Sequence, residues 1–117
     1  CLQSLLSEPM IEVINYDKSR DYLYIKDLIS ALKKILDKFP KKINTYNISQ
    51  NKNLKILDAI LIMKNLLNSK SIIIKKKDKS LQSKFDNIKI RSYKFKNNFN
   101  WKPKFTFIEG IKDLILE

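Results

Sequence analysis

The stretch RDYLYIKDL, residues 20–28, decides how this chain of 117 residues folds. It follows an apolar alternating run and precedes a long amphipathic helical pattern, so the other segments are expected to pack around it. Arg20 comes directly after a polar turn and before a short apolar run. At such a place its aliphatic stem can pack while its guanidinium stays exposed. The residues alone therefore make Arg20 a candidate contact for an anion, without saying which one.

The spacing of apolar residues along the chain predicts a small mixed α/β fold. Helical spacing of three and four alternates with short β-branched runs. This pattern predicts strands near residues 11–14, 45–48 and 71–74 and helices near residues 27–38, 54–67, 93–98 and 107–116. Residues 75–92 are polar and lysine-rich, and they are predicted to be the least ordered stretch.

Several residues are predicted to fix the ends of these helices. Asp27 and Asn53 are suitable N-caps, and Thr106 with Glu109 has the spacing of a capping box. Asn100 stands where a left-handed residue would end a helix, because asparagine tolerates that conformation best after glycine. Trp101 is interpreted as a core anchor. Gly110, which costs about 1 kcal/mol inside a helix, predicts close packing at its position.

Composition indicates a globular protein of one small domain, with 44% apolar and 31% charged residues. No apolar run approaches the roughly 18–20 residues that span a bilayer, and no signal peptide is evident. The single cysteine, Cys1, cannot form an internal disulfide. These features predict a cytoplasmic protein without membrane contact. The net charge of +12 leaves a lysine-rich nucleic-acid-binding domain as an alternative. Against it, only two of the 24 basic residues are arginine.

Three separated segments resemble one known family, in the same order. RDYLYIKDL resembles the signature Arg-Asp-aromatic-x-Tyr-Val-x-Asp-Val of the extended short-chain dehydrogenases/reductases. TYNIS, residues 45–49, is similar to their Tyr-Asn-Ile-Gly segment, with Ser49 in place of glycine. FNWKPKFTFIEGI, residues 99–111, resembles their C-terminal Gly-Trp-x-Pro segment and terminal helix.

The resemblance implies that residues 1–117 form one C-terminal, substrate-binding portion of a longer chain, with the dinucleotide-binding Rossmann part largely absent. The parent would be an NAD-dependent epimerase or dehydratase of nucleotide sugars, hence an isomerase or a lyase. Its partners would be a nucleotide-diphosphate sugar and the missing N-terminal Rossmann domain. Members of this family often form homodimers through helices of that domain.

The resemblance also implies where substrate would bind. Arg20 would hold the substrate diphosphate. Asn47 lies in the TYNIS segment, and Lys77 lies where many relatives carry Arg-x-Gly-Asp, so both are further candidates for substrate binding. The spacing Tyr22-x-x-x-Lys26 matches the family's catalytic pair, but it overlaps the Arg-Asp signature and is interpreted as coincidence.

The sequence predicts no catalytic residue, no cofactor site and no metal site in this chain. It has no glycine-rich loop that could hold NAD pyrophosphate. It also lacks histidine and has a single cysteine, so the common zinc ligand sets are missing. The fragment alone is therefore expected to be inactive and to bind no NAD. An inactive remnant of such an enzyme remains a third interpretation.

Overall fold

The computed structural model describes residues 1–81 and 87–117, which form a mixed α/β structure. The elements, in chain order, are α1 (Leu2–Ser7), β1 (Met10–Ile14), β2 (Ser19–Asp21), α2 (Ile25–Asp37), β3 (Asn53–Lys55), α3 (Ile56–Leu66), β4 (Ile72–Lys76), a 3₁₀ turn (Lys79–Leu81), α4 (Tyr93–Phe99) and α5 (Phe107–Leu116). The predicted fold class is confirmed, together with all four predicted helices.

Two small sheets connect distant parts of the chain. β1 pairs in parallel with β4, from Met10 opposite Ile72 to Ile14 opposite Lys76. β2 pairs antiparallel with β3, with Arg20 opposite Leu54. Parallel strands need a long crossover connection, and here the chain between β1 and β4 includes α2 and α3. The predicted strands near 11–14 and 71–74 are thus confirmed.

Among the described residues, four asparagines adopt the left-handed backbone conformation that glycine adopts in many turns. Their φ angles are positive: 52° at Asn15, 60° at Asn51, 50° at Asn68 and 47° at Asn100. Asparagine enters the left-handed region more readily than other residues with a side chain, and the chain has only one glycine. Asn100 ends α4 in this conformation, as predicted.

The apolar core has two parts. One, around Leu5, Val13 and Ile111, joins α1, β1, α3 and α5. The other, around Ala31, Phe95 and Trp101, joins α2 to α4 and the segment after it. Trp101 is 5% exposed, and its indole Nε1 donates a hydrogen bond to Ser30 Oγ over 2.8 Å. Its predicted role as a core anchor is confirmed.

Three local predictions are wrong. Residues 45–48 do not form a strand, because no described strand pairs with them. Asn53 lies in β3 and does not cap α3, which begins after Lys55. The first N–H groups of α3 instead bond to carbonyl oxygens of the β1–β2 connection: Ile56 N to Lys18 O and Leu57 N to Tyr16 O.

The third wrong prediction concerns Asp27. It is the third residue of α2 rather than its N-cap, which is Tyr24. The Asp27 side chain is only 1% exposed. Its carboxylate accepts hydrogen bonds from the backbone N–H groups of Lys104 and Phe105, at 2.9 and 3.0 Å. Asp27 therefore fastens α2 to the segment that leads into α5.

The start of α5 agrees with the sequence prediction. Thr106 and Glu109 form the reciprocal capping box. At Gly110, an added Cβ would lie 3.0 Å from the ring of Tyr24, which confirms the predicted close packing. Of the stretch 75–92, Lys75 and Lys76 belong to β4, and residues 82–86 lie outside the described residues. Within the described ranges, no helix has the length and apolar character needed to cross a bilayer.

Candidate functional site

Arg20 is the middle residue of the three-residue strand β2. Its side chain is exposed, whereas the neighbours Ser19 and Asp21 are partly buried, as the alternation of a strand requires. The guanidinium Nη1 donates to Ser19 O over 2.8 Å. The side chain of Arg20 is therefore exposed just after the β1–β2 connection.

Asp21, which follows Arg20, and Gln50 form a partly buried polar pair. Asp21 Oδ1 accepts from the Gln50 backbone N–H over 2.7 Å, and Gln50 Nε2 donates to Phe105 O over 2.9 Å. Asp21 Oδ2 and Gln50 Oε1 are buried and receive no hydrogen bond from any described residue. Sequence reasoning missed Gln50, because nothing local marks a contact across 29 positions.

An open apolar cavity of about 370 Å³ is lined by Asp21 of this pair. It lies between the segment 21–25 and one side of α5, and Tyr22, Phe107 and Leu114 are among the residues lining it. The Tyr22 and Phe107 rings are 5.3 Å apart. Burial raises the pKa of Tyr22, and the positive charge of Arg20 only partly opposes this. Tyr22 is therefore held in its neutral form, unlike a tyrosine activated to give up its proton.

Lys26, which follows Tyr22 at the spacing of the family's catalytic pair, contacts two acidic residues at the C-terminal end of the chain. Its Nζ donates to Asp113 Oδ2 over 2.6 Å and lies 3.3 Å from Glu117 Oε1. The Tyr24 hydroxyl donates to the same Asp113 oxygen. The hydrogen bond from Lys26 is the main cause that lowers the pKa of Asp113, followed by that from Tyr24. These bonds join the start of α2 to the end of α5.

Lys77 follows β4 and is exposed. Its Nζ lies 3.4 Å from Asp17 Oδ2 and 5.6 Å from the centre of the Tyr16 ring. The pKa of Asp17 is lowered. Desolvation by itself would raise this pKa, but hydrogen bonds from the backbone and from Lys77 outweigh it. The structure thus attaches Lys77 to the β1–β2 connection, three residues before Arg20.

Asn47 lies in the extended segment before Asn51. Its side chain is exposed, between the partly buried Tyr46 and Ile48. Tyr46 packs on the rings of Phe95 and Phe99, at 5.6 and 5.3 Å. The packing of its neighbours therefore turns Asn47 outward. All three predicted site residues are exposed. Lys77 contacts Asp17 in the β1–β2 connection, which leads directly into the strand that holds Arg20.

Gly110 is the only glycine, and its missing Cβ makes room for Tyr24 rather than for a pyrophosphate. No set of three metal-ligating residues occurs within the described residues. What the arrangement offers chemically is anion binding: an exposed guanidinium, which matches phosphate oxygens in pairs, and lysine point charges.

The fold and these motifs define part of an extended short-chain dehydrogenase/reductase. The family model for GDP-mannose 4,6 dehydratase matches residues 3–114, so the chain belongs to that family. A comparison with curated proteins gave no match.

Solved structures confirm the fold. The dTDP-glucose 4,6-dehydratase from Bacillus anthracis, in complex with NAD, superposes with a TM-score of 0.81 at 24% identity, over 98% of this chain and 36% of that one. The Helicobacter pylori ADP-L-glycero-D-manno-heptose-6-epimerase gives 0.83 at 18% identity, over 98% and 35%. The Thermotoga maritima UDP-glucose 4-epimerase, with UDP-glucose, gives 0.80 at 18%, over 99% and 38%. The chain thus spans little more than a third of these structures.

Proposed function

We propose that this chain is the nucleotide-sugar-binding part of an NAD-dependent epimerase or dehydratase. The observation that carries the proposal is the family match over residues 3–114. Structural similarity to dehydratases and epimerases, along nearly the whole chain, supports it. The parent enzyme works in the cytoplasm, acts on a nucleotide-diphosphate sugar and binds NAD in a separate Rossmann domain. In this proposal residues 1–117 are one functional unit of that enzyme.

Arg20 contacts the substrate diphosphate in this proposal. Its exposure on β2 and its guanidinium geometry support this role, because a fork of N–H donors binds two phosphate oxygens at once. Lys77 and Asn47 supply a further charge and a further amide to the same substrate.

We expect Arg20→Lys to weaken binding of the nucleotide sugar by about 1–3 kcal/mol, the scale of a charge-assisted hydrogen bond. Lysine keeps the charge but loses the paired donors. The measurement is calorimetric titration of UDP-glucose, dTDP-glucose and GDP-mannose into the chain combined with a dinucleotide-binding domain, called here the assembled enzyme.

The matched control is Arg91→Lys, because Arg91 is the other arginine and is also exposed. Its Nη1 donates only a long bond, 3.4 Å, to Asn51 O among the described contacts. The control should keep both affinity and melting temperature. A drop in the stability of the Arg20 variant with unchanged affinity would make Arg20 structural and refute the assignment.

The isolated chain should not bind NAD. It has no glycine-rich loop, and its one glycine is packed against Tyr24. Titration of NAD into the purified 117 residues, followed by tryptophan fluorescence of Trp101, should give no saturable signal. Saturation at micromolar NAD would show that this chain contains a dinucleotide site after all. The same purified chain also tests the alternative that it is a nucleic-acid-binding domain. That alternative predicts an affinity for DNA that falls steeply as the salt concentration rises.

A further inference from the structure

A second cavity lies where α2 meets α4, and lysines dominate its lining. Its volume is about 380 Å³, within the range of about 300–1,000 Å³ that small-molecule sites occupy. The lysines come from α2, from α4 and from the segment that joins α4 to α5. They are Lys34, Lys96, Lys102 and Lys104. We call this feature the lysine cavity.

Hydrogen bonds fix the floor of the lysine cavity. Trp101 lines it and is only 5% exposed, and its indole Nε1 donates to Ser30 Oγ over 2.8 Å. Ser30 Oγ donates in turn to the backbone carbonyl of Asp27 over 2.7 Å. The indole and hydroxyl protons are thus already used. The donors left for a ligand are the four ammonium groups and the side-chain amide of Asn100, which also lines the cavity.

The positive charge of the lysine cavity is not neutralised by any described residue. No carboxylate is among the described residues that line it. All four lysines are exposed, and no ion pair between described residues includes one of them. By contrast, Lys26, Lys76 and Lys77 each contact a carboxylate. Because four like charges around one cavity repel each other, a bound anion would remove an unfavourable interaction.

The kind of cation indicates the kind of anion. A lysine ammonium is a compact point charge that binds phosphate oxygens one at a time, whereas the arginine fork fits a carboxylate in pairs. Ammonium groups from three parts of the chain suit a ligand with several anionic groups at short intervals. A terminal phosphate group carries a charge of about −1.5 to −2 at neutral pH. A short chain of phosphates therefore matches the lysine cavity in charge and in spacing.

We propose that the lysine cavity binds an oligophosphate, a short chain of linked phosphate groups. The ligand is either inorganic tripolyphosphate or the triphosphate part of a nucleotide. Bound there, it joins α2 to α4 and to the segment before α5, so it stabilises the part of the core around Phe95. This site goes beyond the proposed function, because Arg20 lies on β2 and is not part of the lining.

The test titrates sodium tripolyphosphate into the purified 117 residues at low salt, followed by calorimetry and by the fluorescence of Trp101. Trp101 is the only tryptophan, so a ligand in the lysine cavity should change the emission. Tripolyphosphate should also raise the melting temperature above that in NaCl of equal ionic strength, since a ligand that binds only the folded state stabilises it. No saturable heat and no such rise would overturn the proposal.

Lys34→Gln combined with Lys102→Gln should weaken tripolyphosphate binding at least about tenfold, because each change removes a charge-assisted hydrogen bond. The matched control combines Lys70→Gln with Lys89→Gln, which removes the same charge from exposed positions outside the lining. The control should keep the affinity of the unaltered chain. Circular dichroism should show the same fold for both pairs, since all four positions are exposed. Equal weakening by both pairs would mean that net charge attracts the anion, and would overturn the site.

Two further ligands and one further variant complete the test. ATP that binds more tightly than tripolyphosphate would identify a nucleoside triphosphate as the ligand, and the reverse order an inorganic chain. Citrate, which carries carboxylates instead of phosphates, should bind more weakly, and equal binding would refute the choice of phosphate. Arg20→Lys should leave the affinity for tripolyphosphate unchanged. A loss in that variant would place the anion at β2 and refute the lysine cavity, whereas the proposed function is tested separately by nucleotide-sugar binding.

Discussion

Phe95→Ala should lower the free energy of unfolding by about 3–5 kcal/mol, the cost of emptying a buried aromatic position. Phe95 is fully buried. Its ring lies 4.7 Å from that of Phe99 and 5.4 Å from that of Trp101. The cavity left by alanine would loosen the contacts by which α4 holds α2 and residues 45–48.

The measurement is urea unfolding of the isolated chain, followed by circular dichroism. Phe39→Ala is the matched control, because Phe39 is 74% exposed and a surface truncation should change the free energy by no more than about 0.5 kcal/mol. Equal decreases in the free energy of unfolding for the two variants would mean that Phe95 is not a core residue of the cluster that joins α2 to α4.

Asp27→Ala should cost about 3 kcal/mol of unfolding free energy. Alanine leaves the N–H groups of Lys104 and Phe105 without their acceptor, and each buried unpaired donor costs about 1–3 kcal/mol. The change also releases the segment before α5, which carries the capping box of that helix. Residues on both sides of the apolar cavity should then become more mobile.

Asp37→Ala provides the control on the same helix, because Asp37 is exposed in the last turn. Hydrogen exchange should show faster exchange at Lys104 and Phe105 in the Asp27 variant only. Unchanged protection at those two amides, together with unchanged stability, would contradict the fastening role of Asp27.

The helices could be predicted because their signals are local. Apolar spacing gives α2, α3 and α5, and the pair Thr106 and Glu109 is a capping signal three residues long. The left-handed Asn100 and the packed Gly110 were also predictable, because backbone conformation and close approach restrict which residues fit. These features depend on residues a few positions apart, which is the range that a sequence pattern reports.

The small strands could not be predicted, since three residues are too short for a period of two to show. β2 and β3 exist because their backbones pair across 32 or more positions. Asp27 was misassigned for a similar reason: its acceptor role depends on Lys104 and Phe105, which are distant in sequence. Residues 45–48 show the converse, because a strand-like pattern needs a partner strand and the described chain supplies none.

The candidate site was predictable in part. Arg20 was expected at an exposed edge, and the structure shows it exposed on β2. The partly buried pair of Asp21 and Gln50 was not foreseen, because a main-chain hydrogen bond to a side chain 29 positions away leaves no local pattern. The roles of Arg20, Asn47 and Lys77 in binding substrate remain predictions.

The central claim is that this chain binds the diphosphate of a nucleotide sugar through Arg20. The most direct measurement is a crystal structure of the assembled enzyme with the nucleotide sugar that binds it best. The account predicts two Arg20 guanidinium N–H groups bonded to diphosphate oxygens at about 2.7–2.9 Å. A diphosphate bound away from β2, with the Arg20 guanidinium paired to a carboxylate of the protein, would contradict it.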